Sequence, residues 1–300
     1  MTSATNLVFA ALLLLVTLVW GWTFPVVKDA VAAYGVVAFL AIRFALATVA
    51  MAPLGIRRAT RASWLAGGGI GLALAAGYVF QTFGIKYTTA TNSGLITGLF
   101  VISAPVWNRV LFGVRADRIF VGTAIASLCG LALLTGTGLA DPAIGDLVTL
   151  GCALSFGLHI ALLDRYSRRH DTSALALSQM AVAAVVFAAV WPLTEPLVLP
   201  ATPMVWHALL LTGIVASAGG FWVQTATQRR LPATRVAMLL TMEPVFATIF
   251  GRLLAGDRLT ILQMIGGALM VAAMLVCNIH QAANSRTQSM SEAGVRERPE

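Results

Sequence analysis

Residues 7–27 read LVFAALLLLVTLVWGWTFPVV, an uncharged apolar run long enough to cross a bilayer as one helix. A hydrocarbon core of about 30 Å takes roughly 20 residues at the helical rise. The run sits where a secretory signal would, and Ala30-Val31-Ala32 resembles a cleavage site. Its leader, Met1 to Asn6, holds no Lys or Arg, and the apolar part exceeds an ordinary signal core. The segment is therefore read as a retained first helix. Nine comparable stretches follow, at 34–54, 64–84, 89–112, 119–138, 145–163, 173–193, 204–227, 233–254 and 260–280. Turn-forming pairs separate several of them, as at Asp141-Pro142, Glu195-Pro196 and Leu231-Pro232. The pattern predicts an all-α integral membrane protein with ten transmembrane helices. Residues 282–300 are polar without apolar period and are expected to form a disordered cytoplasmic tail.

Composition points the same way. Of 300 residues, 58% are apolar and 11% charged, whereas a soluble globule carries about 25% charged residues to solvate its surface. The net charge of +8 does not indicate nucleic-acid binding, because the basic residues stand singly or in pairs between apolar runs. Cys129, Cys152 and Cys277 lie inside apolar runs without metal-ligand spacing, so neither a disulfide framework nor a metal site is expected. The two lysines, Lys28 and Lys86, are followed by Asp29 and Tyr87, so no phosphate-binding Gly-Lys-Ser/Thr loop exists. No cofactor is implied, and transport would have to run on existing gradients.

Orientation follows from the Lys and Arg distribution. With the N-terminus cytoplasmic, fifteen fall inside: Arg57, Arg58, Arg61, Arg109, Arg115, Arg118, Arg165, Arg168, Arg169, Arg229, Arg230, Arg235, Arg286, Arg296 and Arg298. Four fall outside, Lys28, Lys86, Arg252 and Arg258, and Arg43 lies within a helix. Both termini are therefore placed in the cytoplasm.

The halves repeat each other weakly. Leu18-Val19-Trp20-Gly21 aligns with Leu154-Ser155-Phe156-Gly157 at an offset of 136, which sets Arg43 against Gln179. Tyr78-Val79-Phe80-Gln81-Thr82 aligns with Phe221-Trp222-Val223-Gln224-Thr225 at an offset of 143. Pro105-Val106-Trp107 matches Pro244-Val245-Phe246, and Asp117-Arg118 matches Asp257-Arg258. Five helices per half is an odd number, so the repeats must be inverted in the membrane, with a site expected near the midplane between them. The division is 1–138 for the first repeat and 139–281 for the second.

Taken together, the chain resembles the drug/metabolite transporter superfamily, in particular its ten-helix EamA-type exporters. The carriers are Trp20-Gly21-Trp22-Thr23-Phe24, Arg43-Phe44, Pro232-Ala233, Glu243-Pro244-Val245-Phe246 and Gly256-Asp257-Arg258. The family usually has Glu where Asp257 stands, and Phe156-Gly157 replaces the Trp-Gly start in the second half. The resemblance implies gradient-driven export of small metabolites across the bacterial inner membrane, and its overall character is most similar to the amino-acid branch.

Candidate site residues are the polar and aromatic groups at mid-depth, since a mid-helix charge costs about 2.5–3.5 kcal/mol on the insertion scale. Arg43 has two readings, a bidentate clamp for a substrate carboxylate or a structural anchor bonded to helix-end carbonyls. Glu243 could bind a proton or a substrate amine, or staple helices as a protonated or Arg-paired side chain. Gln81 and Gln224 each follow an aromatic, Tyr78 and Phe221, by three residues, which puts each pair on one helix face. Such amides could contact a zwitterion or glue helices together. Trp20 and Phe24 form an aromatic stripe, with Phe156 the counterpart of Trp20. Asn92, Thr97, Gln179 and His159 are weaker candidates, and the lone His159 reads as a satisfied core residue. Pro25, Pro105 and Pro244 are candidate hinges. Gly67/Gly71 and Gly94/Gly98 offer small faces for close helix approach.

The reading is a secondary exporter of amino acids or similar small metabolites, working by alternating access, acting as a monomer in the bilayer, without nucleic-acid partner. Export of drugs, sugars or nucleotide sugars is the alternative. An intramembrane enzyme would need a nucleophile and base, and Ser217, His159 and His207 stand without any Gly-x-Ser or His-Glu-x-x-His context.

Overall fold

A computed structural model of the chain describes residues 3–113, 118–134, 144–231 and 233–296, with side chains as far as His280 except those of residues 3 and 234. All regular elements among these residues are helical. They are α1 (Ser3–Ala33), α2 (Val36–Gly55), α3 (Arg61–Lys86), α4 (Ala90–Phe112), α5 (Arg118–Leu134), α6 (Ile144–Ser167), α7 (Thr172–Thr194), α8 (Pro203–Arg230), α9 (residues 233–254) and α10 (Ile261–Arg296). Nine are long and apolar enough to cross a membrane, and α5 is a shorter apolar helix of 17 residues. The chain is a multi-pass membrane protein. The repeat boundary at 138/139, the Asp141-Pro142 pair, Asp117 and Pro232 lie outside the described residues.

One expectation changes. The polar stretch after residue 281 was expected to be irregular, yet α10 continues as helix to Arg296. An established apolar helix needs no new nucleation to extend, and Ala, Gln, Arg, Met and Glu in this stretch are good helix formers.

Helices are the natural solution because a peptide group in hydrocarbon has no water to bond. The helices then interlock across the two halves. Helix α3 packs on α6 and α7, and its repeat counterpart α8 packs on α1 and α2. Likewise α4 contacts α6 while α9 contacts α1, and the pairs α2–α7, α4–α9 and α5–α10 close on themselves. Exchanging each helix with its counterpart maps this contact pattern onto itself, as two inverted five-helix repeats require.

Lipid supplies no hydrophobic drive between helices, so close fit must hold them. Gly67 and Gly71 lay one face of α3 directly on α7. A Cβ on Gly71 would lie 2.8 Å from the Gln179 carbonyl oxygen and 2.9 Å from Val182 Cβ. Gly94 and Gly98 do the same for α4 against Ala247 and Pro244 of α9. Regular helix is interrupted at Gly98–Leu99 in α4 and at Thr241 in α9, whereas α1 continues unbroken past Pro25. The α9 break fits Pro244, which cannot donate to the Leu240 carbonyl one turn earlier. In α4 the interruption lies ahead of Pro105. Helix α8 widens to π-helix over Leu211–Gly219, a form that concentrates at functional positions.

Gly71→Ala should therefore lower the thermal unfolding midpoint in detergent, by an overpacking cost of about 1–3 kcal/mol. Gly69→Ala should not, since nothing lies within 4 Å of a Cβ there. Equal midpoints for the two variants would contradict the α3–α7 seating.

Candidate functional site

A cavity lies between the repeats. Its wall is built in pairs. Trp20, Thr23 and Phe24 on α1 lie 136 residues before Phe156, His159 and Ile160 on α6, and all six line it. Tyr78 and Gln81 on α3 lie 143 residues before Phe221 and Gln224 on α8, and these four line it as well. Phe100, Leu240 and Glu243 complete the wall. The cavity thus sits where the two repeats face each other.

Four rings span its centre. Phe156 meets Tyr78 with centroids 5.2 Å apart, and the counterpart pair, Trp20 and Phe221, stands at 5.1 Å. Tyr78 and Phe221 touch across the middle at 6.2 Å in an edge-to-face arrangement, the geometry favoured by the ring quadrupole. Two glycines make room. A Cβ on Gly77 would overlap the Phe156 ring, and one on Gly220 would lie 2.8 Å from Trp20 Nε1. That indole donates to the Ala216 carbonyl at 2.8 Å, inside the π-helical stretch.

The polar groups divide into bonded and unbonded sets. Arg43 is 2% exposed and does not line the cavity. Its Nε donates to Ser217 Oγ and its Nη2 to the Tyr78 hydroxyl, both at 2.9 Å, and its guanidinium lies 4.3 Å from the Tyr78 ring centroid. Neighbouring helices thus take two of the guanidinium N–H groups, through hydroxyls rather than the expected carbonyls, and the side chain stands behind the cavity wall. Gln179 is likewise behind the wall. Thr225 Oγ1 donates to the Phe221 carbonyl and so accepts from Gln179 Nε2 at 3.3 Å. Gln179 Oε1 must then accept from His159, whose Nε2, 2.8 Å away, carries a hydrogen. His159 is both bonded in the core and part of the wall. Asn92 is remote from the cavity, with its amide nitrogen 3.5 Å from Asp146 Oδ1.

By contrast, Glu243 is 5% exposed, and no hydrogen bond or ion pair holds its carboxyl among the described residues. The Arg-paired staple is not formed. Among the described residues Gln224 Oε1 is buried without a partner, and Gln81 Nε2 makes a 3.5 Å contact with Thr97 Oγ1.

At the end of the bundle where α1 finishes, Lys28 Nζ donates to the Thr88 carbonyl at 2.6 Å, and the Thr88 hydroxyl to Asp146 Oδ1 at 2.5 Å. Asp257 Oδ2 accepts from Thr91 N at 2.8 Å and so ties the α9–α10 turn to the start of α4. Towards the other end, the cavity adjoins a second one, with which it shares Phe100, Ile160 and Leu240.

The EamA-like transporter family model matches residues 8–136 and 143–279. The chain belongs to the EamA-like transporter family. It is 32% identical over 269 residues to an uncharacterized transporter of Archaeoglobus fulgidus, covering 89% of this chain and 84% of that one. The threonine/homoserine exporter RhtA of Escherichia coli is 28% identical over 176 residues, 55% of this chain and 56% of RhtA. A crystal structure shares the fold at a TM-score of 0.66 and 20% identity, over 90% of this chain and 96% of the other.

Thr23, Phe100, Ile160 and Leu240 complete the wall of this EamA-like chain without having been singled out in the sequence. Two were readable there, because carrying Phe24 and His159 across the 136-residue offset reaches Ile160 and Thr23. Tyr78→Phe should remove one acceptor from a buried charge and cost about 1.5–3 kcal/mol of stability. Ser217→Ala should act similarly, and the double variant should be non-additive, read by denaturant unfolding in detergent. Additive losses would show that Arg43 does not couple the two residues.

Proposed function

We propose that the chain is a secondary transporter that exports amino acids (neutral, aromatic, methionine- or threonine-like) or similar small metabolites by alternating access. The observation that carries this reading is a mid-bundle cavity lined by counterpart residues of both repeats, with an unpartnered Glu243 carboxyl in an aromatic wall. Glu243 would take the ammonium group, the rings would hold an apolar side chain, and the weakly engaged Gln81 amide would donate to a carboxylate. The partial similarity to a threonine/homoserine exporter supports the same cargo class. Rocking of one repeat against the other would open the cavity to alternate sides.

The excess of Lys and Arg on one side supports cytoplasmic termini in a bacterial inner membrane.

Counterflow in proteoliposomes across the twenty amino acids, with and without a pH gradient, tests the reading. At least one neutral amino acid should move, and Glu243→Gln should lower its rate tenfold or more. Gln81→Ala with Gln224→Ala should raise the half-saturating concentration while leaving the unfolding midpoint within a few degrees of the parent. Movement of no amino acid by monodisperse protein would sink the cargo assignment. Full counterflow by the double glutamine variant would reduce those amides to helix contacts.

A further inference from the structure

The second cavity, between α4, α6, α8 and α9, has a polar equipment that the transport reading has not used. Asp164 on α6 and Gln228 on α8 both line it. Asp164 Oδ1 and Gln228 Oε1 are buried, and neither has a hydrogen-bond partner among the described residues. Gln228 is 1% exposed, and its amide is fixed in orientation because Nε2 donates to the Ile160 carbonyl at 3.3 Å. A flipped amide would place two acceptors against each other, so the free atom is the oxygen. Two buried acceptors without a donor among the described residues, on side chains that line one cavity, call for a group rich in N–H or O–H bonds.

Charge narrows the choice. No Lys or Arg lines either cavity among the described residues, while each cavity contains one carboxyl group, Asp164 or Glu243. Arg168, just past the end of α6, acts on Asp164 electrostatically from outside the lining. A cleft lined by one sign of charge with low-dielectric walls focuses its field and concentrates the opposite ion. The pattern also recurs along the path. Gln224 and Gln228 are one turn apart on α8, so they share a face. Gln224 Oε1 is as unpartnered as Gln228 Oε1. Each cavity is therefore lined by one carboxyl-bearing residue and one glutamine whose amide oxygen has no partner among the described residues. An ammonium group meets this demand because it brings three donors and a positive charge.

We propose that Asp164 and Gln228 form a second binding station, specific for an ammonium group, in the cavity adjoining the Glu243 site. It rests on the proposed transport reading for its role as a stop on the path, but not for its chemistry. Cargo would bind by its amine at Asp164, pass Phe100, Ile160 and Leu240, and be taken up by Glu243 and Gln224 deeper in the bundle.

Equilibrium binding of radiolabelled phenethylamine to the full chain in nanodiscs tests this, with phenylacetate as the same ring bearing the opposite charge. The parent should bind two equivalents of phenethylamine and no phenylacetate. Asp164→Asn should abolish one equivalent or weaken it at least tenfold. Gln228→Leu should weaken the same equivalent several-fold, and Glu243→Gln should leave it in place. Size-exclusion profiles and unfolding midpoints like those of the parent identify the variants that count as folded. The station is overturned if the parent binds no phenethylamine or only one equivalent. It is also overturned if folded Asp164→Asn and Gln228→Leu both bind like the parent, or if phenylacetate competes. Loss of counterflow with both binding equivalents intact would instead remove the transport reading and leave the station.

Discussion

An aromatic ring seated on a glycine is the contact on which the rest of this structure depends, and it is made twice. Phe156 of α6 lies on Gly77 of α3, and Trp20 of α1 lies on Gly220 of α8. Each contact joins one repeat to the other at mid-depth, where lipid gives helices no reason to associate except fit. The seated rings meet Tyr78 and Phe221, which close the row across the middle. A Cβ at either glycine would displace a ring from that row. The cavity is what remains between the two seated pairs, so its shape depends on two absent methyl groups.

The few charges in the bundle follow from the same scarcity of water. Several carboxylates hold the free amide groups that start helices, as Asp171 does for Ser173 N and Ala174 N, Glu195 for Val37 N and Ala38 N, and Asp257 for Thr91 N. A carboxylate there meets both an unpaired donor and the positive end of a helix dipole. Asp257 belongs to the turn by which the chain resembles its family, and capping α4 gives that turn a physical reason. Arg43 is held by hydroxyls and a ring rather than by a carboxylate. Glu243 and Asp164 line cavities instead.

The spans were legible in the sequence because hydropathy reports the solvent directly, and the inverted repeat was legible because five is odd. Trp20, Phe24, Tyr78, Gln81, Phe156, Phe221, Gln224 and Glu243 come together as wall residues because depth and helix face can be read from spacing. Arg43 and Gln179 share that depth but turn to neighbouring helices. One helix's sequence gives no account of which neighbour offers Ser217 or Thr225. Asn92 was misplaced for a related reason: it begins a helix, and its partners are at the bundle's end. The π-helical widening of α8 left no sequence signal, although Trp20 bonds to a carbonyl within it.

Lys28, which ties the end of α1 to Thr88, has a further meaning once the 136-residue offset is applied to it. Its counterpart is Asp164. The repeat thus sets a base and an acid at matched positions near opposite ends of the bundle. A symmetric exchange of conformations between the halves would swap which end is open without swapping these two side chains. In a fold whose geometry favours neither side, such a pair makes the two ends chemically distinct.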